Sequence, residues 1–242
     1  MKSIVEMVIY DLQIYLKSNK ILLPLASWIS VLFIIYSTKP IELLSAFMVS
    51  IAAIFFIMIW IGYTYFKNID KNSRNLMILF CRNRNLYDIA NYISLFVLGF
   101  VLSFVGVFVN FFNNVFNGFE LFTRSLTVND SICAFILHLA VVLISISVTA
   151  ISRPIILKNR KVGLLFLAVL SILSIIKIEF LDGIPVLKYV SYIISAVNKI
   201  TGLFSGTIYF SDKLVVYALF YSVVYSILLI LLSQFICTRE KL

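Results

Sequence analysis

The sequence predicts an all-α, polytopic membrane protein with six transmembrane helices, an N-terminal amphipathic interfacial helix and short re-entrant helices before the last span. Of its 242 residues, 62% are hydrophobic and the mean hydropathy is +1.06, whereas soluble chains are about 45–50% apolar. The apolar residues form six long stretches, and the basic residues are concentrated in alternate connectors. Six helices of about 20 residues use roughly half of the chain, so we expect a single transmembrane domain over residues 1–242.

The basic residues predict the orientation of this domain. Fourteen of the twenty Lys and Arg residues lie in the N-terminus, the C-terminus and the connectors after spans two and four, which together carry a net charge of +9. The net charge of the other connectors is zero. Because positively charged loops stay cytoplasmic, both termini are expected on the cytoplasmic side of the cell membrane. The low His content, with abundant Ile, Asn, Lys and Phe, indicates a bacterial source. Anionic headgroups explain this charge, so no nucleic-acid partner is expected.

Residues 1–20 predict a helix that lies along the inner membrane surface. At 100° per residue, one narrow sector holds Lys2, Glu6, Gln13, Lys17 and Lys20. Apolar residues occupy the other faces, as in an interfacial helix; a solvated lead into the first span is the alternative. Asp11 falls among the apolar positions, where it either pairs with a basic loop residue or reaches water.

Six spans and two unusual connectors follow. The predicted spans are 21–36, 41–66, 92–112, 132–151, 162–176 and 214–236. The connector 67–91 is the most polar part of the chain, yet it contains the apolar run 76–80, which indicates a helix that docks against something. The outer connector 177–213 contains Gly183, Pro185, Gly202 and Gly206, which divide it into short pieces. Its apolar part is predicted to form re-entrant helices, whose backbone bonds are satisfied internally at that depth.

Few residues in this sequence could carry out catalysis or bind a cofactor. Cys81, Cys133 and Cys237 show neither a CxxC pair nor metal-ligand spacing. His138, the single histidine, follows Cys133 by five residues, a spacing that separates them by about 140° around a helix. The sequence also lacks the GxxxxGK[ST] motif that cradles ATP phosphates. We therefore expect no enzyme activity, no metal and no cofactor on this chain.

Four polar residues in the spans are candidates for a substrate path: Asn110, His138, Ser145 and Thr149. Asn110 and His138 are the candidates inside the spans for the kind of polar or ionisable site that ion-coupled transport needs. In the fourth span Ser145, Thr149 and Ser152 repeat at i, i+4 and i+7 and share one face. Helix packing explains such a stripe more often than a substrate path does, and both interpretations stay open.

The layout resembles the permease subunits of type 2 ABC exporters. An amphipathic helix leads into six spans, the last outer connector is broken into short helices, and the first inner loop contains a candidate coupling helix. That loop consists of a charged turn, an apolar helix, a basic turn and a run into the third span, at residues 70–74, 75–80, 81–84 and 85–88. Family members often have an acidic residue and a Gly-Thr step before the coupling helix, where this chain has Lys71, Ser73 and Arg74.

The resemblance implies a transport role and its partners. A separate ABC ATPase subunit, which holds ATP and Mg, would dock under loop 67–91, and a second permease copy, identical or different, would complete the pathway. The substrate would be amphipathic or hydrophobic, namely a peptide, drug or lipid-like molecule, with antimicrobial-peptide export or immunity as the implied setting. The residues expected to contact the ATPase are Arg74, Leu76, Leu79, Phe80, Arg82 and Arg84.

Two other functions remain open at this point. The chain could be a stand-alone membrane immunity protein that sequesters a peptide toxin, which would need no ATPase. It could also be an intramembrane enzyme that uses Cys133 or His138, a weaker alternative because no partner group is evident for either residue.

Overall fold

The computed structural model describes residues 2–69, 71–81, 83–176 and 195–239, which are helical apart from short connections. The helices in these ranges are α1 (Lys2–Lys17), α2 (Leu22–Ile35), α3 (Leu43–Asn68), α4 (Lys71–Cys81), α5 (Arg84–Phe116), α6 (Val128–Lys158), α7 (Arg160–Ile175), α8 (Ala196–Gly202) and α9 (Asp212–Arg239). The predicted all-α class is therefore confirmed for the described part of the chain.

Four of these helices, α3, α5, α6 and α9, are long and apolar enough to cross a membrane. A fifth candidate is the pair formed by α1 and α2, which bends by 80° at the break between Lys17 and Leu22. At 14 and 16 residues, α2 and α7 are shorter than a typical span of about 20 residues. The chain is thus a multi-pass membrane protein.

Helix α6 lies at the centre of the bundle and contacts α3, α5, α7 and α9. It is the most buried of the four long apolar helices, and α9 is the least buried. Close approach of α3 to α6 depends on Gly62, because a Cβ there would lie 2.6 Å from the Thr149 side chain. At the other end of α6, a Cβ on Gly163 would lie 2.6 Å from Ile156 Cα, so this glycine permits the sharp turn into α7.

The outer surface of the bundle is apolar. On α5, Phe100, Phe104, Phe108, Phe112 and Phe116 follow one another at i+4 and are all exposed. Neighbouring rings contact each other, as in the Phe108–Phe112 pair at 4.4 Å between centroids. The outer side of α9 is likewise covered by exposed aliphatic and aromatic side chains. Surfaces of this extent and apolarity match hydrocarbon and not water.

Both terminal helices reach the same end of the bundle, which we call the α4 end. α1 packs on the start of α5, where Met7 and Val8 contact Tyr87 and Ala90. The last turns of α9 lie beside the last turns of α6, since the Ser233 hydroxyl donates to the Ala150 carbonyl. At the opposite end, residues 117–127 pair with the α2–α3 turn through backbone hydrogen bonds between Ile41 and residues Leu121 and Thr123.

The predicted re-entrant connector 177–213 is described only in part. Residues 177–194, including Gly183 and Pro185, lie outside the described residues. The described part contains α8, seven residues that pack against α7, α3 and α6. After it, the buried Phe204 ring lies 5.7 Å from that of Phe210, which in turn lies 6.0 Å from the ring of Phe47 on α3, measured between centroids.

Two helices extend beyond the predicted spans 92–112 and 132–151. Helix α5 begins at Arg84 because the Asn83 side chain accepts from Asn85 N as an N-cap. Helix α6 begins at Val128, where Thr127 and Asp130 form a capping box. The polar residues that ended the predicted spans are thus accommodated inside helices.

A buried ion pair joins these two extensions. Arg153 Nη2 lies 2.6 Å from Asp88 Oδ1, and both side chains are almost completely buried. The guanidinium also lies over the rings of Phe66 and Tyr87, at 5.3 and 5.9 Å from their centroids. Arg153, counted among the loop charges in the sequence, therefore links α6 to α5 and does not face the membrane surface.

Changing Asp88 alone is expected to destabilise the bundle strongly. The Asp88→Asn variant leaves the Arg153 charge buried without a counter-ion, which costs about 3–5 kcal/mol. Denaturant unfolding in detergent micelles measures this loss.

An exposed carboxylate provides the control. Glu42→Gln at the opposite end is expected to change stability by about 0.5 kcal/mol or less. The double variant Asp88→Leu/Arg153→Met should recover most of the loss, because apolar replacement of both partners removes the uncompensated charge. A small effect of Asp88→Asn would contradict a structural role for the pair.

Candidate functional site

The outer face of α4 is the first candidate site. Leu76, Leu79 and Phe80 share one side of the helix and are 66%, 72% and 63% exposed. The sequence predicted a helix over this apolar run, and the structure confirms it as α4. An 11-residue helix that displays three large apolar side chains at i, i+3 and i+4 has the form of a docking element.

The inner face of α4 attaches the helix to the bundle. Met77 and Ile78 pack on a small cluster in which Met7 and Val8 of α1 meet Tyr87 and Ala90 of α5. This cluster is separate from the main core, which is built around α3 and α6. α4 is therefore coupled to α1 and α5 and is not buried in the bundle itself.

The three predicted arginine contacts do not share one location. Arg74 is turned away from the exposed face and lines a cavity between α1, α3 and α4. Burial, followed by repulsion from Arg153 and Arg84, lowers the pKa of Arg74. Arg84 is partly exposed at the start of α5, and Arg82 lies outside the described residues.

The cavity behind α4 was not predicted as a site. It has a volume of about 90 Å³ and is lined by Asp11, Tyr65, Arg74 and Tyr87, among others. Asp11 Oδ2 is buried and has no partner at hydrogen-bonding geometry among the described residues. The Tyr65 hydroxyl beside it donates to Asn91 Oδ1 at 3.0 Å and offsets only part of the effect of burial on the pKa of Asp11. Burial therefore raises the pKa of Asp11 to about 6. The position of Asp11 among apolar residues was the one sequence signal for this feature.

A polar cluster inside the bundle is the second candidate site, and it contains His138. The imidazole is completely buried, with Nδ1 2.7 Å from Ala134 O and Nε2 3.1 Å from Ser50 Oγ. A carbonyl can only accept, so Nδ1 carries the proton. A second ring proton would bury an uncompensated charge, so Nε2 is an acceptor that faces the Ser50 hydroxyl, whose single proton is available either to Nε2 or to the Phe47 carbonyl at 2.8 Å. His138 thus joins α6 to α3.

Asn110 lies beside this cluster, and its amide has spare hydrogen-bonding capacity. Its side chain and that of Ser50 lie next to the Tyr36 hydroxyl. The residue is fully buried, yet neither amide atom has a hydrogen-bond partner among the described residues. Of the four predicted substrate-path residues, Asn110 is therefore the one whose polar atoms are not already engaged.

Ser145 and Thr149 lie further along the same face of α6 and are also completely buried. Each hydroxyl donates to the carbonyl four residues earlier, at 2.8 Å, in Val141 and Ser145 respectively. Ser152 does the same to Val148 at 2.9 Å. These bonds satisfy the hydroxyls within α6, and Thr149 packs against Gly62 of α3.

The described residues offer little for metal binding or nucleophilic catalysis. Cys133 Sγ lies 3.7 Å from Asp212 Oδ1, while His138 contacts Ser50 and Ala134. Within this part of the chain, His, Cys, Asp and Glu side chains do not gather in groups of three or more that could hold a metal ion.

Comparisons with models of known protein families, with curated proteins and with solved structures find no match to this chain.

The docking of α1 is expected to depend on pH through Asp11. Its pKa is about 6 in the folded protein and 3.8 in the unfolded chain, so the folded state disfavours the charged form. The resulting destabilisation is absent below pH 3.8 and complete above pH 6. Stability therefore falls as pH rises from about 4 to about 6, as measured by thermal unfolding in detergent.

The Asp11→Asn variant should be more stable than the parent at pH 7 and lose this pH dependence. Glu6 is an exposed carboxylate on the same helix. The Glu6→Gln variant is therefore the matched control and should retain the pH dependence of stability. An unchanged pH slope in Asp11→Asn would show that another group titrates.

Proposed function

We propose that this chain is the membrane-spanning permease subunit of an ATP-driven exporter whose ATPase is a separate subunit. The observation that supports this best is α4, which is fixed to α1 and α5 by Met77 and Ile78 while Leu76, Leu79 and Phe80 face outward. A helix held this way can receive a push from a docked partner and pass it to α5. The chain's resemblance to type 2 ABC permeases in layout and loop pattern is consistent with this role.

In the proposed arrangement the chain crosses the membrane six times. α2 and α7 act as short spans beside the four long ones, α1 lies along the inner surface, and the 177–213 connector re-enters the outer leaflet. The 80° bend between α1 and α2 supports an interfacial α1. The α4 end is the cytoplasmic one, because it holds most of the basic residues and both terminal helices.

The proposed mechanism is alternating access. ATP binding closes the ATPase dimer, which moves α4 and, through Tyr87 and Ala90, the start of α5. The Asp88–Arg153 pair carries this movement into α6, the central helix. Two permease copies then rock about a shared pathway, along which an amphipathic or hydrophobic peptide, drug or lipid-like substrate leaves the cytoplasm or the membrane.

The exposed face of α4 can be tested directly. In the Leu79→Asp/Phe80→Asp variant, two apolar anchors worth about 1.5–3 kcal/mol each are lost. The tagged variant should therefore retain its ATPase subunit about tenfold less well or worse, and the co-purified ATP hydrolysis should fall in proportion. Co-elution of a nucleotide-binding subunit with ATPase activity is the measurement.

A conservative variant separates docking from folding. Leu79→Met/Phe80→Leu keeps the apolar face and should retain the ATPase, and both variants should unfold at the same temperature because these side chains are exposed. Full ATPase retention by the aspartate variant would refute the proposal. Protection against a peptide toxin in cells without any ATPase subunit would favour sequestration instead.

The proposed sidedness predicts which positions a membrane-impermeant thiol reagent reaches. In a background with all three cysteines changed to serine, Glu120→Cys at the opposite end should be labelled on intact cells. Asn75→Cys on α4 should be labelled only after the membrane is opened. The reverse pattern would invert the proposed orientation.

A further inference from the structure

An apolar groove separates α3 from α7 on the surface of the bundle, away from α4 and from the His138 cluster. It has a volume of about 510 Å³, within the range of about 300–1,000 Å³ found for small-molecule pockets. Phe56, Trp60 and Tyr63 line one wall, and Leu164, Ala168 and Ile172 line the other. The groove extends roughly 10 Å along α3, from Tyr63 to Phe56.

Four basic residues lie near the α4 end of this groove, two of them in contact with Tyr63 and two close to Arg160 in the chain. Lys67 Nζ lies 5.7 Å from the centroid of the Tyr63 ring, and the Tyr63 hydroxyl donates to the Arg160 carbonyl at 3.4 Å. Arg160 and Lys161 begin α7, one turn before Leu164. With Lys158, these residues form what we call the basic rim: Lys67, Lys158, Arg160 and Lys161.

The basic rim is free to bind an anion. All four side chains are exposed, and none forms an ion pair with an acidic residue that the structure describes. Tyr63 lies at the rim end of the groove and Trp60 lines the groove one turn further from the rim, the arrangement that amphipathic aromatic rings take near the level of lipid headgroups.

We propose that the groove between α3 and α7 binds an anionic phospholipid from the bilayer. One acyl chain lies along Phe56, Trp60 and Ala168, and the phosphate contacts the basic rim. Basic residues at the inner ends of transmembrane helices bind anionic headgroups by this combination of charge and an adjoining apolar surface. The proposal does not depend on a transport function.

Charge favours a lipid over a second copy of the chain in this groove. A symmetric dimer through this face would bring two basic rims together at the same membrane depth. The like charges would repel, whereas an anionic headgroup neutralises the rim.

The two tryptophans make the test specific. Trp60 lines the groove and is 37% exposed, whereas Trp28 is completely buried in the core. The full chain is reconstituted in phosphatidylcholine vesicles that contain a small fraction of either phosphatidylglycerol or phosphatidylcholine with brominated acyl chains. Bromine quenches a nearby tryptophan, so quenching reports which lipid occupies the groove.

Brominated phosphatidylglycerol is expected to quench Trp60 at a lower mole fraction than brominated phosphatidylcholine. High ionic strength should reduce this preference in the unmodified protein. The Arg160→Gln/Lys161→Gln variant should reduce it about fivefold for each charge removed, the ratio that corresponds to about 1 kcal/mol per basic residue. Lys39→Gln/Lys213→Gln at the opposite end is the control and should leave it unchanged.

Two further variants test the groove itself. Trp60→Phe should abolish the difference between the two lipids, and Ala168→Leu should reduce quenching by both because it fills the groove. Equal quenching by the two lipids, or a preference that survives loss of Arg160 and Lys161, would overturn the proposal. So would disulfide cross-linking of two Ala168→Cys copies in the membrane, which would place a second chain in the groove.

Discussion

The arrangement of the bundle depends on how polar groups are satisfied around α6 without water. In hydrocarbon, each polar group needs a partner within the protein, and α6 is surrounded by other helices on most sides. Its hydroxyls bond to carbonyls in the same helix, His138 bonds to Ser50 of α3, and Arg153 pairs with Asp88 of α5. Because these bonds are made to specific neighbours, they determine which helices lie beside α6. Apolar packing alone is weakly selective in lipid.

The two ends of the molecule are held together by different kinds of contact. At the end opposite α4, an edge-to-face contact between Tyr36 and Phe122 and backbone pairing hold residues 117–127 against the α2–α3 turn. The α4 end has a small separate apolar cluster, the Asp11 cavity and the exposed face of α4. Regions with few buried apolar contacts open most readily. The exposed face of α4 and the Asp11 carboxylate therefore lie where the contacting helices are joined by this small cluster.

Hydropathy and helical periodicity predicted most helices but few of the contacts between them. The predicted spans 41–66 and 214–236 agree closely with α3 and α9, and the apolar run in loop 67–91 correctly indicated α4. α5 and α6 were predicted too short, because a local hydropathy pattern ends at charged residues such as Asp88 and Arg153. Their burial depends on a pairing between distant parts of the chain. The orientation of Arg74 depends in the same way on α1, whereas the shared face of Leu76, Leu79 and Phe80 follows from spacing alone.

The length of α5 has a mechanical consequence. This single helix runs from the α4 contact at Tyr87 to Phe116 at the opposite end, and a 33-residue helix measures roughly 50 Å. Near its middle, Trp28 Nε1 of α2 donates to the Leu102 carbonyl at 3.2 Å, and the Trp28 ring also lies close to Gly106. If α5 pivoted about this contact, the helix would act as a lever with its fulcrum near Leu102. A tilt of about 5° at the α4 end would displace the far end by about 2 Å in the opposite direction.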